Sequence, residues 1–175
     1  MNIFKKLIFI LSFLILSTNF LNAEDKVSYI DIDYVLTQTV AGKELLKTLK
    51  KEEELKINNF KSNDDNFKNE ERKILAKKNL MSDEEINKEL KLLQVKFQEY
   101  KKNKIKEVDA LKIKRNKNII NFLNLINPII EKYMAENSIY MLIDKKNVFI
   151  ANKKYDITNN LIELIDNQIK TVDIK

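Results

Sequence analysis

Asn79-Leu80-Met81-Ser82-Asp83-Glu84-Glu85-Ile86 interrupts the longest helix-forming run of the chain, and where it sends the backbone decides the fold. Ser82 followed three residues later by Glu85 spells a capping box: the hydroxyl takes the N–H of the third helical residue, and the carboxylate returns to the cap's own N–H. Acidic Asp83 and Glu84 suit the positive end of a helix dipole. A new helix therefore starts here, and the chain doubles back. On both sides, from Lys43 to Ile126, there is neither proline nor glycine. Going back from the turn, Met81, Ile74, Phe67 and Phe60 recur every seven residues, with Leu46 on the same register and Leu49 and Ile57 flanking it. Going forward, Ile86, Leu90, Leu93, Phe97 and Tyr100 step by alternating fours and threes. Such spacing keeps one seam against a partner helix. The spacing predicts an antiparallel helical hairpin over 43–126 with its tip near 79–83.

At 1.5 Å per residue the first arm spans about 55 Å and the second somewhat more. Two helices of that length cannot be buried on all sides. Apart from the seam they are Lys, Glu, Asp, Asn and Gln. The shape suits reaching or enclosing better than housing chemistry. The seam weakens after Tyr100, where Lys104 takes a seam position and Ile105, Val108 and Leu111 carry the register on. Asp64, Glu71 and Lys104 thin its packing and predict pliable arms.

The flanks predict a small body. Val27, Tyr29 and, less regularly, Ile30 and Ile32 predict a strand with one buried face. Tyr34 to Thr39 is a short helical segment leading to Ala41-Gly42-Lys43. Gly42 is the only glycine, fitting a tight junction where backbones approach or a merely tolerated position near a helix start. Ile119, Phe122, Leu125, Ile126, Ile129, Ile130 and Tyr133 are too apolar for a solvated face and predict docking on the body. Pro128 within them predicts a kink or a new turn, and Asn137 a left-handed helix end. Ser138 to Ala151 reads as a hairpin, Ile139 to Ile143, a turn at Asp144 to Asn147, then Val148 to Ala151. Asp156-Ile157-Thr158 caps a last amphipathic helix over 159–169. The division is then a leader at 1–23, a β-rich body at 24–42 and 127–175, and the arm at 43–126. The class is α+β, mainly α. A body of about seventy residues is marginal alone, so self-association is the natural remedy.

Composition narrows the function. The chain has no cysteine and no histidine. That removes disulfides, thiolate nucleophiles, most zinc sites and the commonest general base. Neither catalytic nor metal-ligating residues are expected, nor a cofactor. Lys5 and Lys6, the apolar run Leu7 to Leu16 and the small residue Ala23 predict a secretory leader cleaved before Glu24. The apolar run is short of the about twenty residues that cross a bilayer. Removing a leader with two lysines and no acid lowers the formal net charge from +6 to +4. A basic balance suggests anionic partners. For an exported chain these are acidic polypeptides, lipid headgroups and lipopolysaccharide, and nucleic acid is not expected.

The order of elements and several local signatures resemble the Skp/OmpH family of periplasmic chaperones over the whole mature chain. The resemblance rests on Val27-Ser-Tyr-Ile-Asp-Ile-Asp-Tyr-Val-Leu36, on Ala41-Gly42-Lys43-Glu44-Leu45, on Tyr140-Met-Leu-Ile-Asp-Lys-Lys-Asn-Val-Phe-Ile-Ala151 and on Asp156-Ile157-Thr158. This chain departs from it with Val40 where many members have Pro, and with Ser138 where they have Gly. The resemblance implies a homotrimer whose hairpins surround a cavity. It further implies the holding of unfolded outer-membrane proteins there without ATP, in the periplasm.

The charge pattern fits that expectation. From Lys91 to Lys117 there are ten basic residues, Lys91, Lys96, Lys101, Lys102, Lys104, Lys106, Lys112, Lys114, Arg115 and Lys117, against Glu99, Glu107 and Asp109. The facing segment Glu44 to Glu71 carries six lysines against eight acids. Opposed arms attract, and the surplus positive charge is left for a client. The candidate client-binding residues are those ten; the candidate arm seam is Phe60, Phe67, Ile74, Leu90, Leu93, Phe97 and Tyr100. An envelope scaffold using the arm to hold one folded partner is the alternative.

Overall fold

The computed structural model describes residues 26–173; the leader read at 1–23 lies outside them. Strand β1 (Lys26–Ile30) leads to helix α1 (Ile32–Gln38), and a single residue, Thr39, separates α1 from the long helix α2 (Val40–Ala76). A 3-10 turn at Lys77–Asn79 precedes α3 (Asp83–Glu136), then come β2 (Ile139–Asp144), two further 3-10 turns and α4 (Thr158–Gln168). The two long helices form the antiparallel hairpin that the turn at Ser82 predicts.

Short polar side chains set each junction. Asp31 caps α1 by accepting from Tyr34 N at 2.9 Å. Thr39, fully buried, ends one helix and starts the next: its hydroxyl donates to Val35 O at 2.9 Å and accepts from Gly42 N at 3.2 Å. Gly42 follows from this joint, because a Cβ there would stand 2.1 Å from Leu36 O and 2.7 Å from Thr39 Oγ1. Lack of space, and not an unusual dihedral, keeps it glycine. Asp166 of α4 accepts from Val40 N at 2.7 Å, placing an acid at the positive end of α2. Thr158 is held by Asp156 Oδ1, and its own hydroxyl accepts from Asp31 N at 3.0 Å, tying α4 to the start of α1.

The core lies where the roots of the arms meet this joint. Leu45 of α2, Phe122 and Ile126 of α3, Val35 of α1, and Leu161 and Ile165 of α4 are essentially inaccessible, with Ile30 and Ile139 beside them. Each fully buried aliphatic or aromatic side chain stabilises by about 1.5–3 kcal/mol. Every buried side-chain nitrogen and oxygen among the described residues has a hydrogen-bond partner.

Several expectations are corrected. β1 and β2 pair in parallel, Val27 opposite Met141 and Ile30 opposite Asp144, so the sheet has two strands and the whole hairpin is its crossover. Val148–Ala151 is not a strand: after the turn at Lys145–Asn147 it runs without joining the sheet, and Phe149 and Ile150 stand 102% and 85% exposed. On β1 the buried residues are Ser28 and Ile30, while Val27 is exposed, so the buried face is the opposite of the one its apolar residues suggest. The left-handed residue is Ser138, at φ 54°, and not Asn137, at φ −107°. A serine thus carries the conformation for which glycine is the usual choice. α3 runs through Pro128 without ending, since Ile126, Ile129 and Ile130 on either side are buried in the core while the proline faces solvent. Ile57, expected to flank the seam, is exposed on the arm.

Candidate functional site

At the tip the capping box closes as its spacing requires. Ser82 N donates to Glu85 Oε2 at 3.0 Å, and Glu85 N donates to Ser82 Oγ at 3.3 Å. These bonds hold the Glu85 carboxyl below the usual carboxylate range. Ile86 is buried beneath the turn, and Lys77 reaches Glu89 across it at 3.4 Å.

Below the tip the seam residues meet. The Phe67 ring lies 5.2 Å from Phe97 and 5.2 Å from Tyr100, within the range of favourable aromatic pairs. Phe60 is buried, whereas Phe67, Ile74, Leu90, Leu93, Phe97 and Tyr100 are half-buried. A polar layer follows. Tyr100 Oη donates to Phe60 O at 3.0 Å, and Lys104 Nζ meets Asp64 Oδ2 at 2.7 Å while lying over the Phe60 and Tyr100 rings. The Lys104 hydrogen bond holds the Asp64 carboxyl down, Asp64 holds the Lys104 ammonium up, and burial raises the Tyr100 phenol. Nearer the body the contacts become ionic: Lys56 to Glu107 at 2.7 Å, Lys114 to Glu52 at 2.9 Å and Arg115 to Glu53 at 3.2 Å.

The ten basic residues therefore divide. Lys104, Lys114 and Arg115 bind the facing arm, and Lys112 lies 3.6 Å from Asp109 on its own helix. Lys91, Lys96, Lys101, Lys102, Lys106 and Lys117 are exposed and make no ion pair among the described residues. Lys101 lies over the Phe97 ring at 5.0 Å from its centroid. Leu92, Val95, Ile105, Ile113 and Ile120 are exposed among them on α3, as is Leu55 on α2. The heptad pattern misses all but Ile105, because it ranks positions by register and takes off-seam residues as solvated; Ile105, expected to carry the seam on, is 63% exposed instead.

An open groove of about 1230 Å³ runs along one side of the hairpin, bounded by Asp64, Phe67, Lys68 and Glu71 of α2 and by α3 from Leu90 to Lys112. Its floor is apolar and its rim charged. On the body Val27, Tyr140, Met141, Phe149 and Ile150 are exposed, and Val27 and Ile150 line one hollow. Among the described residues no group of three or more His, Cys, Asp or Glu side chains could hold a metal ion, and no helix is long and apolar enough to cross a membrane.

The family model for outer membrane protein, OmpH-like, matches residues 26–165, which run from β1 through both arms into α4. The chain belongs to the OmpH-like family. Its fold is also that of a solved neighbour, the crystal structure of a candidate outer membrane chaperone (OmpH-like) from Caulobacter crescentus CB15. The two align with a TM-score of 0.75 at 19% identity, covering 84% of this chain and 87% of the neighbour. No curated protein matches the sequence. In this OmpH-like protein, then, the overall fold is shared with the neighbour, while the joint at Thr39, the groove and the exposed lysines are read from its own residues.

Proposed function

We propose that this OmpH-like protein is a holding chaperone of the periplasm, which keeps unfolded outer-membrane proteins from aggregating by surrounding them with its arms. One observation carries the reading: six lysines with no ion pair among the described residues and five exposed aliphatic side chains are interleaved along α3. Such a surface makes many weak contacts, ionic and apolar, and fixes no single geometry. An unfolded chain offers the same mixture. The charges steer acidic segments at long range, with an attraction that salt weakens. A nucleotide cycle is not expected, because a phosphate-cradling loop needs several glycines and this chain has one.

Enclosure requires more than one copy, and the body offers the means. Val27, Tyr140, Met141, Phe149 and Ile150 are exposed apolar side chains of the body, Val27 and Ile150 beside one hollow, and apolar area of this kind suits an interface. A homotrimer joined through it would present three hairpins around one cavity, and the sticky Val148–Ile150 segment would gain the cover it lacks in the single chain.

The mature protein should suppress aggregation of several unrelated urea-unfolded outer-membrane barrels without ATP, and its mass in solution should be three times that of one chain. A scaffold for one folded partner would suppress none of them. A monomer, at any concentration at which suppression is measured, would end the enclosure model.

A further inference from the structure

We infer that the groove along each hairpin binds one strand-length segment of an unfolded barrel protein, extended and with alternate apolar side chains turned into its floor. The inference rests on the holding reading above and assigns it a site. From Leu90 to Lys112 the lining follows α3 for about 33 Å at 1.5 Å per residue, with α2 beside it for about 11 Å from Asp64 to Glu71. About ten residues of extended chain cover that length. A barrel strand that crosses a membrane has about 9–11 residues and alternates apolar with polar side chains. The α3 wall of the groove is as long as such a strand.

The chemistry of the lining agrees as well. Phe67, Leu93, Phe97 and Val108 are half-buried in the floor, and Ile105 is 63% exposed within it, so apolar surface is waiting to be covered. Two of the acids in the lining are already engaged, Asp64 with Lys104 and Asp109 with Lys112. Glu71 remains, against Lys101 and Lys102, which have no ion pair among the described residues. The unspent charge on the rim is positive. A guest that lays apolar side chains down and holds acidic ones up satisfies both levels at once. A lipid headgroup fits less well, since its phosphate would need converging donors and the rim mixes Glu71 with its lysines.

Labelled ten-residue peptides test this against the full mature chain, read by fluorescence anisotropy. One alternates apolar with acidic residues, a second has the same composition in two blocks, and a third carries lysine in place of the acids. The alternating acidic peptide should bind at least about fivefold tighter than the blocked one. Gln98→Trp places a ring over the groove from an exposed rim position and should weaken that binding by about fivefold. Lys101→Glu with Lys102→Glu should weaken the acidic peptide by about tenfold at low salt and spare the lysine peptide. Helical circular dichroism equal to the parent's confirms that each variant is folded.

Equal affinity for alternating and blocked peptides would overturn the inference, as would binding indifferent to Gln98→Trp. So would a fall in oligomeric mass on Gln98→Trp, which would make the groove a contact between copies. Loss of binding to phosphatidylglycerol vesicles, with peptide affinity unchanged, would make it a lipid site. Suppression of barrel aggregation separates the two levels. If the parent and Gln98→Trp suppress equally, the groove is wrong and the chaperone reading stands; if the parent suppresses nothing, both fall.

Discussion

Gly42→Ala should destabilise the protein, and the sign of its effect is the test. In a helix, alanine is favoured over glycine by up to about 1 kcal/mol, so a merely tolerated glycine near the start of α2 would give a more stable variant. The joint at Thr39 reverses that. The new methyl would stand 2.1 Å from Leu36 O, which is backbone, and 2.7 Å from Thr39 Oγ1. Neither gives way alone: Leu36 O belongs to α1, and Thr39 Oγ1 is pinned by Val35 O and Gly42 N. Overpacking of this kind costs about 1–3 kcal/mol, and displacing the Thr39 hydroxyl from its cap costs about 1 kcal/mol more. Set against the propensity gain, the expected loss is about 1–3 kcal/mol. Urea unfolding followed at 222 nm, at one fixed protein concentration, should show the midpoint falling by about 1 M. A midpoint unchanged or raised would refute the account of the joint.

Other consequences are smaller or more local. Because the Asp64 carboxyl is held down by Lys104, its contribution is present above the unfolded carboxylate range and is lost as pH falls through the lower folded value. Lys104, held up by Asp64, keeps its contribution until pH rises past the ordinary lysine range. The arms should therefore loosen below about pH 4 in hydrogen exchange, and Lys104→Met should remove that acid response; an identical acid response in the variant would sink the assignment. Ser82→Ala deletes one half of the capping box and should cost about 1 kcal/mol, seen as faster exchange at Glu84 to Ile86 with the body unchanged. If the proposed homotrimer forms through the body, Phe149→Ser with Ile150→Ser should lower its mass in light scattering while leaving the helix signal intact, since neither side chain supports the single chain's own core.

The hairpin could be read from residues because its causes are local. Ser82 and Glu85 lie three apart, the seam residues lie on one helical stripe, and neither fact depends on the rest of the fold. The sheet could not, because strand pairing is set by partners far away in the chain. Ile139 to Ile143 and Val148 to Ala151 have the composition of a hairpin, yet β2 takes its place beside β1, across the whole length of the arms. The basic arm was read as one class of residue, and only geometry divides it: Lys104, Lys114 and Arg115 are spent on Asp64, Glu52 and Glu53, while Lys101 and Lys102 are not. The groove was invisible for a related reason. Its lining sets seam side chains such as Phe67, Leu93 and Phe97 beside Lys101, Lys102 and Asp109, and periodicity marks only the first group.

Since β1 and β2 are parallel, the connection between them has to cross from one end of the sheet to the other, and here that connection is the hairpin itself. Its roots are therefore part of the core: Leu45, Leu49, Phe122 and Ile126 are buried with α1 and α4. Farther out the packing changes character, because Glu52, Glu53 and Asp64 meet Lys114, Arg115 and Lys104 where apolar pairs would otherwise sit. Partly exposed ion pairs contribute little and break without leaving a cavity. Opening of the arm between residues 60 and 105 should accordingly cost far less than global unfolding, and it should leave the roots closed. Native-state hydrogen exchange measures this directly. Amides at Leu45 to Leu49 and at Phe122 to Ile130 should exchange only through global unfolding, and those from Phe60 to Ile105 through local opening with a weaker denaturant dependence. Protection along 60–105 equal to that of the roots would mean a rigid arm, unable to adjust to clients of different size.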